Sequence, residues 1–213
     1  AGKSSIAKAV ARQMGFIYVD TGALYRAIGL FVLENGKNTK FEDEVVPLLD
    51  EISIRIGFVS GEQHVFINDN DVSEKIRMPE VSMAASDVSA IPKVRKFLFD
   101  LQLKLAKEND VIMDGRDIGT VVLPNADVKI FLTASPEERA NRRFLQLSEK
   151  ENCPTYEEIL ADIIQRDYND SHRKIAPLKQ ADDAILVDTT NFTKEESIEL
   201  LEKIINEKLG VGK

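Results

Sequence analysis

The sequence predicts a three-layer α/β fold in which helices cover a central parallel sheet. Short apolar runs typical of buried strands alternate along the chain with segments whose apolar residues recur at helical spacing. The chain also opens with Gly2-Lys3-Ser4, followed by a helical pattern and then by a strand-like run. That order is typical of a βα-β unit, the building block of parallel sheets.

The opening motif indicates a phosphate-binding loop. Gly2-Lys3-Ser4 is the second half of the pattern G-x-x-x-x-G-K-[ST], in which backbone N–H groups surround phosphates and the lysine neutralises them. By itself the triplet is equally compatible with an ordinary helix N-terminus. The amphipathic segment 6–14 and the strand-like run 16–19 favour the phosphate-binding loop. We expect the first glycine of the pattern, and the strand before it, to lie upstream of residue 1.

The segment 37–80 interrupts the alternation of helix and strand. Before it, residues 22–35 form a predicted helix that Gly36 ends. Within it we expect a short helix at 45–49, a half-buried strand over 52–58, and a return strand at 64–68 after a turn at 60–62. We interpret 37–80 as a small α/β insertion in a core formed by 1–36 and 81–213.

The alternation resumes after residue 80. Helices are predicted at 81–88, from Pro92 to about 105, from Pro136 to about 150, over 156–171 and from 194 onward. Strands are predicted at 111–113, 128–132 and 184–188. Ser135 with Glu138, and Thr193 with Glu196, have the spacing of capping boxes at two of the helix starts.

Composition excludes several classes of protein. The 213 residues are 43% hydrophobic and 30% charged, as in a globular cytoplasmic protein, with no apolar run long enough to span a membrane. The net charge of −8 argues against binding to a nucleic-acid polymer. A single cysteine, Cys153, excludes an internal disulfide framework and a cysteine-based zinc site. No stripe is left over for self-association, so we expect a monomer.

Carboxylates follow the predicted strands. Asp20, Asp114 and Asp188 each end a strand, and ligands of open parallel sheets bind beyond those ends. Asp114 follows three apolar residues, like the carboxylate that holds Mg²⁺ or its waters opposite a phosphate-binding loop. The alternative for Asp114 is a solvated strand-end carboxylate. For Asp188 that alternative is the only interpretation we make.

Arginines cluster on two neighbouring helices. Arg139, Arg142 and Arg143 lie at i, i+3 and i+4, and a second face contains Arg166, Asp170 and Arg173. These helices flank a break at 152–154, so that about 142–158 is predicted to be a lid that closes over phosphates. Arginine binds phosphate oxygens in a bidentate way, which suits phosphoryl transfer. The alternative is a set of exposed i, i+4 salt bridges with nearby Glu and Asp.

Three stretches resemble the signature motifs of the bacterial cytidylate kinases. They are Asp20-Thr21-Gly22-Ala23-Leu24-Tyr25-Arg26, Asp114-Gly115-Arg116-Asp117-Ile118-Gly119-Thr120-Val121-Val122 with Pro124, and Arg166-Asp167 with Asp170, Ser171 and Arg173 before Ala176-Pro177-Leu178. The insertion is similar to the extra nucleoside-monophosphate-binding (NMP-binding) domain of these enzymes. The resemblance covers essentially the whole chain and implies a P-loop kinase fold with an Arg-bearing lid.

The resemblance also implies an activity and its residues. The γ-phosphoryl group of ATP would pass to CMP or dCMP, with Mg²⁺, in pyrimidine nucleotide metabolism. The ATP phosphates would be held by Gly2, Lys3, Ser4 and Ser5. The (d)CMP site would comprise Thr21, Tyr25, Arg26, Ser86, Arg95, Arg116, Asp117, Arg166 and Asp170. Catalytic roles would fall to Lys3, Arg116, Arg142 and Arg173, and Mg²⁺ would be held, directly or through water, by Ser4 and Asp114.

Within that site the resemblance assigns recognition of the cytosine base to Ser86, Arg95 and Asp117. The carboxylate of Asp117 would accept from the N4 amine of cytosine and repel the O4 of uracil. A polar pocket left unpaired by the wrong base can discriminate by roughly 10⁴ or more. An adenylate or shikimate kinase would keep the loop and the lid without this triad. A nucleotide-binding module without turnover is a further alternative, and a purely structural protein would leave the arginines unexplained.

Overall fold

The structure, a computed structural model, describes residues 2–59, 62–148, 153–172 and 174–210. It divides the chain into two compact units. The continuous unit is Phe16–Gly115, and the discontinuous unit joins Ala1–Gly15 to Arg116–Lys213. Across the described ranges, no helix is both long enough and apolar enough to cross a membrane.

The elements follow the predicted alternation closely. The helices are α1 (Lys3–Met14), α2 (Thr21–Glu34), α3 (Glu42–Val45), α4 (Pro79–Ser89), α5 (Pro92–Glu108), α6 (Pro136–Leu147), α7 (Tyr156–His172) and α8 (Lys194–Leu209). The strands are β1 (Ile17–Asp20), β2 (Ile54–Val59), β3 (Glu62–Ile67), β4 (Asn70–Asp71), β5 (Val111–Asp114), β6 (Ile130–Thr133) and β7 (Ile185–Asp188). Short 3₁₀ turns lie at Val46–Asp50 and Lys75–Arg77, and a wide helical turn of the π type lies at Ile118–Val122.

Each unit contains a pair of parallel strands. In the continuous unit β1 pairs with β5, and their last residues, Asp20 and Asp114, lie side by side. In the discontinuous unit β6 pairs with β7 in the same way. The continuous unit also contains the antiparallel sheet β2-β3-β4, of which β2 and β3 form the predicted hairpin. The predicted α/β class with parallel strands is therefore confirmed.

The continuous unit is built on one hydrophobic cluster. Helix α2 contributes Leu24 and Ile28, and α4 contributes Val81 and Val88. The two helices approach closely at Gly29, where an added Cβ would come within 2.9 Å of the Cβ of Ala84. The predicted insertion shares this core, because apolar residues of β3 and of the segment before β2 belong to the same cluster.

Two details of the insertion differ from the sequence prediction. The short helix expected at 45–49 is present as a 3₁₀ helix at Val46–Asp50, which follows directly on the end of α3 at Val45. Pro47 lacks the backbone N–H that a continuing α-helix would need, and its ring would clash with the preceding turn. The strand starts at Ile54, and Phe58, expected on the buried face, is 39% exposed. It lies near the end of the hairpin, beyond the reach of the core.

The helix caps are confirmed at one predicted box and half confirmed at the other. Thr193 and Glu196 form the full reciprocal capping box of α8. At α6 the Ser135 hydroxyl accepts from the N–H of Glu138, but the Glu138 carboxylate binds Arg142 instead of returning to Ser135. The stronger, charge-assisted partner one turn away takes the carboxylate.

Candidate active site

In the continuous unit, the turn between β1 and α2 positions an arginine. Asp20 caps α2: its Oδ1 accepts the N–H of Ala23 at 3.2 Å, and its Oδ2 pairs with Nη2 of Arg26 at 3.1 Å. The guanidinium of Arg26 is thereby held near the N-terminus of α2. A helix N-terminus already attracts anions, so the turn places two sources of positive potential together.

The end of β5 is tied to the same turn. The buried hydroxyl of Thr21 donates to the backbone carbonyl of Asp114 at 2.8 Å, and the Tyr18 hydroxyl donates to Oδ2 of Asp114 at 3.4 Å. Thr21 therefore fixes the turn to β5, and its hydroxyl proton is used for that purpose. The Asp114 carboxylate lies at the strand end where the sequence predicts a metal-binding group.

The predicted base-binding residues of the continuous unit are also brought together. The guanidinium carbon of Arg95 lies 5.6 Å from the centre of the Tyr25 ring, a cation–π arrangement. Nη1 of Arg95 donates to the carbonyl of Ser89 at 3.1 Å, and the Ser89 hydroxyl donates to the carbonyl of Ser86 at 2.8 Å. Ser86 is half-buried on the same helix, one turn from Ser89.

In the discontinuous unit, two arginines converge on one buried carboxylate. Nε of Arg116 lies 2.8 Å from Oδ2 of Asp170, and Nε of Arg166 lies 4.0 Å from the same oxygen. Asp170 is only 6% exposed. Its backbone carbonyl accepts from Leu178 at 2.7 Å, which folds the chain after α7 back onto the helix end. Arg173, predicted to be catalytic, lies outside the described residues.

Asp117, the predicted cytosine reader, is buried at the start of the wide turn Ile118–Val122. Its backbone carbonyl accepts the N–H of Val121 at 2.8 Å. The aliphatic part of the Lys129 side chain packs against this turn at Gly119. A Cβ added to Gly119 would lie 3.4 Å from Cδ of Lys129. The Lys129 ammonium donates to the Pro124 carbonyl and to Asp183, and it holds the pKa of the Asp183 carboxyl below its ordinary value.

The arginines of α6 have separate partners. Arg139 makes a bidentate pair with Asp167 on α7 and donates from Nε to the Ala134 carbonyl at 3.0 Å. Arg142 pairs with Glu138 at 2.7 Å and donates from Nη2 to the Thr189 carbonyl at 2.7 Å. Both arginines are thus paired with carboxylates: Arg142 has the i, i+4 partner of the salt-bridge alternative, and Arg139 has a partner on another helix. The phosphate role of Arg142 stays a prediction, as do the lid boundaries, 142–158, of which 149–152 lie outside the described residues.

The opening motif places a glycine with a positive φ directly before a helix. Gly2 has φ +96°, a conformation that side-chain-bearing residues rarely adopt, and its carbonyl accepts the first α1 hydrogen bond, from Ile6. Helix α1 begins at Lys3, so that Ser4 and Ser5 lie exposed in its first turn. A helix N-terminus behind a glycine of this kind is a common anion site.

The donor atoms suit Mg²⁺ in kind. Ser4 offers a hydroxyl and Asp114 a carboxylate, and Mg²⁺ binds oxygen ligands while keeping several waters. Within the described ranges, no group of three or more His, Cys, Asp or Glu side chains could hold a metal ion by itself.

A family model described as cytidylate kinase matches residues 1–207. The chain belongs to the cytidylate kinase family. It is 50% identical over 210 residues to the cytidylate kinase of Caldicellulosiruptor saccharolyticus, covering 99% of this chain and 93% of that protein. It is 52% identical over 205 residues to that of Caldicellulosiruptor bescii (96% and 89% covered) and 49% identical over 208 residues to that of Lactobacillus johnsonii (98% and 90%). The resemblance stated from the motifs is confirmed, and membership of a kinase family implies ATP as the phosphoryl donor.

Several residues that hold the candidate site residues in place were not predicted from the sequence. They are Gln63, which binds the backbone of Asp20; Lys129, which supports the loop after Asp117; and Asp167, which pairs with Arg139. A buried lysine or a hairpin glutamine has no motif of its own. Only Asp167 offered a signal, because it stands beside Arg166 in the third resembling stretch.

Proposed function

We propose that this protein transfers the γ-phosphoryl group of ATP to CMP or dCMP, giving ADP and CDP or dCDP, in pyrimidine nucleotide metabolism. The observation that carries the proposal is the family match over residues 1–207. The two arginine arrangements, Asp20 with Arg26 and Asp170 with Arg116 and Arg166, agree with it. Each holds guanidinium groups in a defined orientation, and oriented guanidinium groups bind phosphate oxygens in a bidentate way.

On the donor side, we propose that the ATP phosphates are bound by Gly2, Lys3, Ser4 and Ser5. Backbone N–H groups at the start of α1 would bind phosphate oxygens, and Lys3 would neutralise their charge. Ser4 and Asp114 would hold Mg²⁺, directly or through water. When bound, the ion neutralises charge that develops on the phosphate oxygens. Arg142 and Arg173 would add positive charge at the transferring group.

On the acceptor side, Arg26 and Arg116 would bind the phosphate of the monophosphate, with Thr21, Arg166 and Asp170 near the phosphates or the ribose. Tyr25 would support Arg95 through the contact between its ring and the guanidinium. Ser86, Arg95 and Asp117 would bind cytosine. The Asp117 carboxylate accepts from the N4 amine, and Arg95 donates to N3 and O2.

The proposed reaction needs no strong general base. The acceptor phosphate is already an anionic nucleophile, so that positioning and charge neutralisation carry the catalysis. The two histidines are occupied elsewhere: His64 bonds Asp71 at 2.7 Å, and the His172 ring is stacked on Tyr168 at 4.1 Å. We further propose that the protein is a cytoplasmic monomer. Light scattering of the purified protein measures its molar mass and so tests the monomer.

The test is an ADP-release assay on the full-length protein with Mg-ATP and each of CMP, dCMP, UMP, AMP and shikimate. We expect rapid turnover with CMP and dCMP and little with the others. Turnover with another acceptor would keep phosphoryl transfer and remove the cytosine roles. No turnover from folded protein would favour a nucleotide-binding module. Asp117→Asn refines the result: an unchanged CMP-to-UMP ratio of kcat/KM would remove the role of Asp117.

A further inference from the structure

A glutamine of the β2–β3 hairpin binds the turn that carries Arg26. Oε1 of Gln63 accepts the backbone N–H of Asp20 at 2.8 Å, and Nε2 of Gln63 donates to the backbone carbonyl of Asp20 at 3.2 Å. One carboxamide thus bonds both backbone groups of one residue. A carboxamide has the same donor and acceptor pair as a peptide group, so that Gln63 acts here as a single residue of an additional strand would.

The bond lies on the edge of β1 that β5 does not cover. The N–H of Ile17 points to β5, because it donates to the carbonyl of Asp110 at 2.9 Å. Successive backbone N–H groups of a strand point to opposite edges, so that the N–H of Asp20, three residues on, points away from β5. Gln63 therefore fixes β1 at its last residue, where the strand gives way to α2.

The residue fixed in this way is the one that orients Arg26. The side chain of Asp20 divides its oxygens between the N–H of Ala23 and Nη2 of Arg26. A rotation of the Asp20 backbone would move both oxygens and, with them, the guanidinium. Among the described residues, the side-chain hydrogen bonds of Gln63 go to the Asp20 backbone and not to Arg26, so its influence on a ligand would run through Asp20.

We propose that Gln63 is a positioning residue for acceptor binding: by clamping the backbone of Asp20 it holds Arg26 in the orientation that binds the acceptor phosphate. The proposal rests on the proposed function, since that function gives Arg26 its ligand. The proposal also gives the β2–β3 hairpin a functional role besides packing, because the hairpin carries Gln63 and its two hydrogen bonds to Asp20.

The test compares Gln63→Met, which keeps the length of the side chain and removes both hydrogen bonds, with the parent protein. We expect KM for CMP to rise by about tenfold, because small errors in positioning are costly, while KM for ATP stays within about twofold. Gln63→Glu keeps the acceptor for the N–H but places an oxygen against the Asp20 carbonyl. It should raise KM for CMP at least as much, and it serves as the second variant if Gln63→Met does not fold.

His64→Ala is the matched control. His64 is the next residue of β3, so its side chain leaves the opposite face, where it bonds Asp71. The control weakens the same hairpin without touching Asp20. Equal effects of His64→Ala and Gln63→Met on KM for CMP, or equal increases of the KM values for CMP and ATP, would overturn the proposal, since both indicate general loosening of the hairpin.

A readout independent of activity separates this proposal from the proposed function. Hydrogen exchange of the Asp20 amide should be faster in Gln63→Met than in the parent and in His64→Ala. An unchanged exchange rate would mean that Gln63 does not fix the turn, and the proposal would fail even with an active enzyme. A parent protein that binds no CMP and shows no turnover with it would defeat the proposed function, while the exchange rates would still decide whether the clamp exists.

Discussion

The two units hold their candidate residues by different means. In the continuous unit, Tyr25 and Arg26 lie on α2, a helix whose other face is buried along most of its length in the hydrophobic cluster. In the discontinuous unit, among the described residues, α6 has one buried residue, Ala140, and α7 has two, Ile159 and Asp170. Apolar packing therefore holds in place the helix that carries the first set of candidate residues.

Charge pairs position the second set. Arg139 and Asp167 link α6 to α7, Arg116 reaches Asp170 of α7, and Lys129 binds Asp183. Paired charges hold a geometry as long as both partners are present, and removal of one partner from a buried pair leaves the other uncompensated. The comparison teaches that substitutions of core residues in the continuous unit should act through stability, whereas substitutions of the paired charges in the discontinuous unit should act through activity.

The largest effect is expected from a substitution that disrupts the packing of the continuous unit. Leu24→Ala removes a side chain of α2 that is 0% exposed. We expect the free energy of unfolding to fall by about 3 kcal/mol, the usual cost of such a cavity, as measured by urea denaturation. Leu33→Ala, on the same helix but 39% exposed, is the control and should cost less than about 1 kcal/mol. Equal losses would contradict the assignment of this unit to apolar packing.

The second effect tests the charge pairs of the discontinuous unit. Asp170→Asn leaves a neutral group between Arg116 and Arg166. We expect kcat/KM for CMP to fall by about 30-fold, because a charge-assisted hydrogen bond contributes roughly 2 kcal/mol. Asp162→Asn, at an exposed position of α7, is the matched control and should retain parental kinetics. A large loss of thermal stability in Asp170→Asn with unchanged kinetics would reverse the comparison.

The smallest effect concerns an exposed carboxylate of the continuous unit. Hydrogen bonds from the hydroxyl and N–H of Ser73, and then from His64, lower the pKa of Asp71 from 3.8 to about 2. A lowered pKa in the folded state means that the stabilisation is present above pH 3.8 and is lost as the pH falls toward 2. Asp71→Asn should therefore have a lower Tm than the parent at pH 5, and the difference should vanish near pH 2.

Asp69→Asn is the control for this pH dependence. Its side chain is almost fully exposed and lies 3.8 Å from Arg55 in an open ion pair. Such pairs contribute little, so that its Tm should follow the parent at every pH. A difference between Asp71→Asn and the parent that grows below pH 4 would contradict the sign derived above.

The sequence alone predicted most of the local structure. Apolar periodicity located the helices and strands within a few residues, and Thr193 with Glu196 located the start of α8. It also located Asp20 and Asp114 at strand ends, and the motif stretches identified the family. It did not specify that the helix at 45–49 is of the 3₁₀ type, and it failed at Glu138, where Arg142 competes with the cap.

Only the tertiary structure determined which side chains hold the candidate residues in place. Gln63 and Asp20 are 43 positions apart, Arg116 and Asp170 are 54 apart, and Arg139 and Asp167 are 28 apart. Periodicity, caps and turn residues act within about four positions, since they depend on the geometry of one helix or strand. Residues this far apart in the sequence pair because the packing of whole elements brings them together. Local sequence patterns do not encode that packing.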